Sequence, residues 1–353
     1  MNQRSTSFFE FWPTWVMYLP VVLQWLALSL RYRSLTLPLI ANPTIPLAGM
    51  VGGSKDLLMS QSSGACREAI LPWTLHVVDD APLAAQCKAL LTAAQAAGIT
   101  LPFVCKPDMG CRGSGVKLIR SEEQLHATLD AYPSGAGMVC QKLASYEPEV
   151  GIFYVRHPQQ QSGEIASLTF KHTPSVTGDG RSTVQELVQC DPRARQLLHL
   201  YESRNRANWQ RVLNEGEVHR LLFSASHCRG AVFEDARHHI TPALVDALNR
   251  LMAGLPDFHY GRLDVKFRDL ESLQNGECLE IVEINGASSE SIHIWDKNAR
   301  LGDAFKALLW QYRTLFQLGQ AQRERGIRPP GLRALLRHWQ MERRLSRLHP
   351  ETD

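Results

Sequence analysis

Residues 260–267 read Tyr-Gly-Arg-Leu-Asp-Val-Lys-Phe, and residues 278–286 read Cys-Leu-Glu-Ile-Val-Glu-Ile-Asn-Gly. Charged and apolar residues alternate in both runs, the period-two pattern of a half-buried strand. The polar turn between them contains Asn275-Gly276, so the two runs are expected to pair as antiparallel strands. Arg262, Asp264 and Lys266 then share one face of the first strand, and Glu283 and Asn285 share one face of the second. Paired in this way, Asp264, Glu283 and Asn285 converge as oxygen donors beside two cations. Mg²⁺ bound to substrate phosphates needs that set: a few hard oxygens, with positions left for phosphate and water. A salt-bridged sheet face is the other reading of the same alternation.

Upstream, residues 103–116 read Phe-Val-Cys-Lys-Pro-Asp-Met-Gly-Cys-Arg-Gly-Ser-Gly-Val. A strand delivers Lys106, and a loop with Gly110, Gly113 and Gly115 turns into a second strand. Glycines let backbone N–H groups approach a phosphate without Cβ obstruction, while Lys106 and Arg112 supply charge. No Gly-Lys-Ser/Thr follows, so this is not a Walker loop. A strand rather than a helix follows, so it is not a dinucleotide fingerprint. A tight hairpin is the alternative.

Between these motifs, strands and helices mix over short links. Helices are predicted over 82–98, 121–132, from Thr183 to Val188, and over 242–251. Strands are predicted at 103–106, 116–119, 138–143, 150–156 and 164–172. The class is α+β or α/β.

The order Lys-Pro-x-x-Gly-x-x-Gly-x-Gly-Val, a hinge strand, Arg-x-Asp-x-Lys and Glu-x-Asn resembles the ATP-grasp superfamily of carboxylate–amine ligases. The branches it looks like are D-alanine–D-alanine ligase and cyanophycin synthetase. Ser175-Val-Thr-Gly-Asp-Gly-Arg-Ser-Thr-Val-Gln-Glu-Leu187 is similar to a stretch of the latter and of related glutathione-forming enzymes. The resemblance covers about Leu83 to Tyr312. It implies an α+β ATP-grasp fold, two α+β lobes clasping ATP, with a hydrophobic N-terminal segment and a basic C-terminal helix added. By the same resemblance, Lys106 contacts the α- and β-phosphates, and the loop of Gly110, Arg112, Gly113, Ser114 and Gly115 closes over the β- and γ-phosphates. The backbone near Lys142 and Leu143 reads adenine, and Glu149 holds the ribose. Asp264, Glu283 and Asn285 hold Mg²⁺ (or Mn²⁺). Lys171 is a further phosphate contact, and Arg262 stabilises the charge that develops during transfer. Arg229 holds a substrate carboxylate or the transferred phosphate, or else makes a loop salt bridge. The hinge departs from many relatives in opening with Gln141 where they carry Glu. The region before Lys106 lacks the full α/β substrate domain of the D-alanine ligases.

The implied reaction joins a small-molecule carboxylate to an amine through an acylphosphate, with ATP and Mg²⁺. Two other readings keep the same nucleotide machinery: phosphate transfer to a hydroxyl, and a non-catalytic nucleotide-binding protein associated with membrane. The expected layout is a hydrophobic segment (1–35), a Pro/Gly-rich region (36–82), the ATP-grasp domain (83–318) and a basic amphipathic tail (319–353).

Composition bounds the partners. Of 353 residues, 44% are hydrophobic and the net charge is only +3, which gives no reason to expect nucleic-acid binding. The positive charge sits in the tail, where eight arginines face four acids after Gly319. Eight cysteines are scattered singly with no C-x-x-C pair, as in a reducing, cytoplasmic setting. Phe11 to Leu30 holds no charge and is rich in Trp and Tyr, long enough at about 1.5 Å per residue to cross a bilayer. The helix pattern at 332–348 segregates Leu332, Leu335, Leu336 and Trp339 from five arginines. Contact with the membrane surface is therefore expected at both ends, placing the protein at the inner face. A helix buried against the protein's own core and a solvated basic helix are the alternatives.

Overall fold

The structure, a computed structural model, describes residues 7–10, 12–110, 115–223, 230–350 and 352. Arg112, Gly113, Ser114 and Arg229, which the sequence reading places in the site, lie outside the described residues.

The chain begins with helix α1 (Thr14–Tyr32), two short helices α2 (Lys55–Ser60) and α3 (Gly64–Ala69), and strand β1 (Trp73–Val77). Then come α4 (Leu83–Ala96), β2 (Phe103–Pro107), β3 (Lys117–Ile119), α5 (Glu122–Ala131) and β4 (Gly137–Lys142). These strands form one antiparallel sheet in the order β1-β4-β2-β3. Alternation decides its faces. Phe103, Cys105, Met138 and Cys140 pack under α4 and α5, whereas Val139 and Trp73 turn the other way into the second lobe's core.

The second lobe carries β5 (Glu149–Val155), β6 (Glu164–His172), β7 (Ser175–Thr177), α6 (Val184–Cys190), α7 (Leu198–Arg204), β8 (Val218–Arg220) and β9 (Val232–Asp235). It continues with α8 (Pro242–Ala253), β10 (Tyr260–Phe267), α9 (Leu270–Asn275), β11 (Leu279–Asn285), α10 (Leu301–Glu324) and α11 (Leu332–Leu348). Its main sheet runs β11-β10-β5-β6-β9, and β7 pairs with β8 in a small unit with its own apolar cluster. Val150, Ile152, Leu168, Leu263 and Val265 bury one face of the main sheet against α3 and α8. The opposite face is charged at one end and covered by α10 at the other, where Phe153 and Tyr260 meet Leu315 and Leu318. The chain is thus α+β with two sheet-and-helix lobes.

Three expectations are corrected. The polar stretch between β10 and β11 is a helix, not a bare turn. Asp269 caps α9 by accepting from Ser272 N at 2.8 Å, and Gly276 ends it in the left-handed conformation (φ 70°). Secondly, α10 runs through Gly319, where the tail was expected to begin; the break comes only at residues 325–331. A Cβ on Gly319 would meet the Leu37 carbonyl at 2.3 Å, so glycine allows the helix to lie against the N-terminal segment.

The third concerns the hydrophobic segment. No helix among the described residues is long and apolar enough to cross a membrane. Instead α1 lies along α10: Trp25 packs edge-on against Tyr312 and Phe316 (centroids 5.8 and 5.1 Å), and Tyr32 stacks on Phe316. Just before the helix, Glu10 is buried in a bidentate ion pair with Arg193 (2.8 Å to Nη1). Tyr18 and Trp25, two of the aromatic residues that suggested a membrane interface, therefore serve as packing against a second helix, while Trp15, Leu23 and Leu30 stay exposed on the other flank of α1. The basic helix α11 is likewise tied to the fold, since Glu342 accepts from Gly52 N at 2.8 Å. The contact of both ends with membrane, and a place at its inner face, find no support in this arrangement.

Candidate active site

The site forms at the charged end of the main sheet, where the second lobe meets the first. Register places Asp264 opposite Glu283 and Arg262 opposite Asn285 on β10 and β11. Asp264 also lies beside Gly151 on β5, and Glu149 pairs across to Lys171 on one side and Lys266 on the other. One face therefore presents Glu149, Lys171, Arg262, Asp264, Lys266, Glu283 and Asn285, as the alternation in the sequence implied.

Asp264 is buried, which by itself favours the neutral acid. Arg262 (Nε to Oδ1 2.8 Å) and Lys171 (Nζ to Oδ2 3.5 Å) reverse this and hold it below the usual carboxylate range. Asn285 Nδ2 reaches the same carboxylate at 3.4 Å. Lys171 has its ammonium form favoured, because the Asp264 and Glu149 charges outweigh the cost of burial. Glu149 pairs with Lys171 and, at 3.2 Å, with Lys266. Glu283 is likewise held ionised, against burial, by Lys55 and Lys106.

Lys106 comes from the other lobe. Only 6% exposed, it donates to Gln141 Oε1 at 2.8 Å and to the Val282 carbonyl at 3.0 Å, so it ties β2 and β4 to β11. Burial pulls its ammonium down to about 8, partly offset by Glu283. Gln141, the departure noted in the hinge, thus holds the Lys106 ammonium without neutralising it. Lys142 donates its own N–H to the Pro72 carbonyl at 2.9 Å, so that donor is already committed at the hinge. Leu143 follows directly after β4. Gly110 accepts from Lys55, and Gly115, with φ 72°, accepts from the Tyr132 hydroxyl at 2.8 Å; these two residues flank the loop.

Lys55 is the site residue that the sequence reading missed. It stands in the Pro/Gly-rich region, where no periodic pattern flags it. Ser54 before it, a helix N-cap three residues ahead of Leu57, is the only local signal. In total Lys55, Lys106, Lys171, Arg262 and Lys266 face Glu149, Asp264 and Glu283. Positive charge is in surplus, so the end of the cleft attracts an anion.

The donor set fits a hard divalent cation. Asp264, Glu283 and Asn285 sit on one face of adjacent strands, and both carboxylates are held ionised. Among the described residues, no group of three or more His, Cys, Asp or Glu side chains gathers as a self-sufficient metal site. A cation held here would complete its shell with ligand oxygens or water. Further along β6 on the same side, a groove of about 500 Å³ is lined by Glu164, Arg237, Ser291, His293, Lys306 and Trp310. His293 Nδ1 meets Ser167 Oγ at 2.8 Å beside it.

The stretch 175–187 is ordered by its own polar residues. Asp179 accepts from Arg181 N and Ser182 N at 2.9 and 2.7 Å, and Thr183 and Glu186 form a capping box on α6.

No family model matches the chain, and no curated protein does. Among solved structures, the chain is similar to a bifunctional glutathione synthetase from Pasteurella multocida, at 15% identity over 73% of this chain and 36% of that one, TM-score 0.36. It is also similar to D-alanine–D-alanine ligase from Bacillus anthracis (12% identity, 79% of this chain and 69% of that one, TM-score 0.41). A third is the VanG D-Ala:D-Ser ligase from Enterococcus faecalis (11% identity, 77% and 62%, TM-score 0.40). The chain spans little more than a third of the length of the first of these.

Proposed function

We propose that this chain is an ATP-dependent ligase of the ATP-grasp type that joins a small carboxylate to an amine. The observation that supports it most is the shared face on which Asp264, Glu283 and Asn285 meet Arg262 and Lys171, with Lys106 entering from the opposite lobe. Five cations gathered around three carboxylates on one face suit a polyphosphate better than they suit a sheet face that served only stability. A polyphosphate supplies the missing negative charge.

In this reading Lys106 and Lys171 neutralise the phosphates and hold them in line with the acceptor. Mg²⁺ (or Mn²⁺), carried by Asp264, Glu283 and Asn285, would draw charge from the phosphate oxygens. The acceptor carboxylate oxygen attacks the γ-phosphorus, the bond to the bridging oxygen breaks, and ADP leaves with the electron pair. Arg262 faces the charge that builds on the transferred group. The amine nitrogen then attacks the acyl carbon, phosphate leaves, and the amine's proton is released. The chain needs no nucleophilic side chain for this, because positioning and charge neutralisation carry the rate. The groove beside His293, which presents both signs of charge, is where the small substrates would lie. Buried thiols outside any disulfide, such as Cys66, Cys105 and Cys140, suit a reducing, cytoplasmic compartment.

The test is ADP and phosphate release with Mg²⁺ against pools of amino acids and small carboxylates. Release of both that depends on one acid–amine pair supports the ligase. ADP with a phosphorylated acceptor and no free phosphate would replace it with a phosphotransferase.

A further inference from the structure

Helix α11, outside the span of the family resemblance, leaves the body and then returns across the cleft. Ile327 still packs with Leu28, Leu37 and Phe316; Pro329, Pro330 and Gly331 follow, and α11 begins. Among its described side chains none is fully buried, whereas α10 buries ten residues. A helix so placed gains little from hydrophobic burial, and segments of that kind open locally at low cost. Its inward stripe is narrow. Leu335, His338, Glu342, Leu345 and the C-cap His349 recur every three or four residues and are half-buried, while Leu332, Leu336, Trp339 and the arginines around them stay exposed.

Three contacts carry this stripe across the cleft. Glu342 Oε2 accepts from Gly52 N at 2.8 Å, three residues ahead of Lys55, and a Cβ on Gly52 would lie 3.8 Å from His338 Cβ. His349 then rests on both flanks of the glycine loop: a Cβ on Gly110 would meet its ring at 3.5 Å, and one on Gly115 would meet its Cβ at 3.4 Å. The same ring packs on Tyr132 (centroids 5.9 Å), whose hydroxyl donates to the Gly115 carbonyl. Burial first, and the nearby Lys55 charge after it, hold the His349 imidazole below its ordinary pKa, in keeping with a ring at the cationic end of the cleft. Finally, Thr352 is buried and its carbonyl accepts from Arg204 Nε at 3.0 Å. Arg204 ends α7 in the small unit of the second lobe, whereas the glycine loop belongs to the first. The two sides of the cleft are thus bridged by one helix and the residues after it. The bridge is imperfectly satisfied: among the described residues His338 Nδ1 and His349 Nδ1 are enclosed without a hydrogen-bond partner, which disfavours the docked state.

We propose that α11, with His349 and Thr352, is a strap that holds the nucleotide cleft shut and must lift for a nucleotide to enter. Resting on the ATP-dependent reading above, this gives the strap an inhibitory sign. While docked, it keeps the glycine loop and the second lobe from parting, so nucleotide entry is slowed by the fraction of molecules in which it is closed. A helix that only ordered the glycine loop would act the other way, and loosening it would slow or weaken nucleotide binding.

The experiment uses the full-length chain. Association of Mg²⁺ with N-methylanthraniloyl-ATP is followed by stopped-flow fluorescence, with circular dichroism and thermal melts as folding controls. Glu342→Ala and Arg204→Ala each remove one hold on the strap and should speed association several-fold, the two together by more. Gly52→Cys combined with His338→Cys puts two Cβ atoms 3.8 Å apart, within disulfide range, and pins the helix when oxidised. Oxidation should slow association by about tenfold or more, and dithiothreitol should restore it. Each single cysteine variant, treated alike, controls for the native thiols and for the left-handed backbone at Gly52 (φ 64°). If an alanine variant melts early, the cysteine pair decides, because its oxidised and reduced forms are the same chain. Association that is unchanged or slower in folded Glu342→Ala and Arg204→Ala, or indifferent to the state of the disulfide, would overturn the strap. Failure of both the wild type and the released variants to bind the nucleotide would instead overturn the function on which it rests.

Discussion

Asp264 and Glu283 stand directly opposite each other on neighbouring antiparallel strands, both ionised and each with its own cation: Arg262 at 2.8 Å for Asp264, Lys55 at 3.5 Å for Glu283. Two carboxylates so placed repel each other, and Asp264 does work against the ionisation of Glu283. The arrangement persists because cations from three separate parts of the chain converge on it: Lys55 from α2, Lys106 from β2 and Lys171 from β6. In the proposed reading, a pair that is costly when alone becomes the floor of a cleft for polyphosphate and a divalent cation.

Lys106 makes that cleft pH-sensitive. Its ammonium is drawn down to about 8 in the folded chain, from 10.5 as the ordinary value. Nucleotide affinity should therefore fall as pH rises through about 8, measured by calorimetry between pH 7 and 9.5. Lys106→Arg, which stays charged across this range, should flatten the decline. The sign for stability is the reverse. The unfolded chain binds the extra proton between about 8 and 10.5, so this group's unfavourable contribution, full below 8, is relieved as pH rises through that window. A nucleotide affinity that is flat to pH 9.5 in the wild type would contradict the placement of Lys106 against phosphate.

Asn42, fully buried with its whole amide engaged, should be worth a large share of the stability of the segment that leads to Lys55. Asn42→Ala removes four buried hydrogen bonds and leaves the His259 and Tyr260 amides without their acceptor. The expected loss is about 3 kcal/mol in denaturant titrations, together with nucleotide affinity, because the route to Lys55 loosens. Asn42→Asp keeps both acceptor contacts but loses the donors to Ala48 and Tyr260, and should fall between. A loss below about 0.5 kcal/mol, the range of an ordinary surface change, would show that the segment is held by something else.

Deleting residues 1–33 should damage the fold itself. It would strip α1 from α10, expose Tyr312 and Phe316, and leave Arg193 facing Ala231 without Glu10. The milder Trp25→Ala should cost about 2 kcal/mol, less than for a fully enclosed aromatic since Trp25 is half-buried. Thermal melts of both proteins give the check. A deletion that melts with the intact chain would show α1 to be dispensable to the fold.

Legibility followed regularity. Asp264, Glu283 and Asn285 could be read because a strand's alternation assigns each residue a face, and a partner strand in register does the rest. Lys171 and Glu149 became meaningful for the same reason once β5 and β6 were paired. Lys55 could not be read this way. Its position depends on an irregular path fixed by a side-chain amide 13 residues earlier and by two residues in left-handed backbone, neither of which has a periodic signature. The segment at α1 was ambiguous for a different reason: apolar periodicity reports that a helix needs an apolar partner, and α10 meets that need along one flank, while Trp15, Leu19, Leu23 and Leu30 stay exposed on the other. Between β10 and β11, Asn275-Gly276 was read as a hairpin turn. Asp269 six residues before, with Ser272 three after it, carried the stronger signal of a short capped helix.

The central claim is tested most directly by ADP production with Mg²⁺, in the presence of amino acids and small carboxylates, by the intact chain and by Asp264→Asn and Glu283→Gln. The account predicts Mg²⁺-dependent ADP and phosphate release that falls by about a hundredfold or more in each variant, as for loss of a group that organises charge at the reacting centre. Circular dichroism should show both variants still folded. Two folded variants that turn over ATP at the rate of the intact chain would contradict the assignment of this sheet face as the active site.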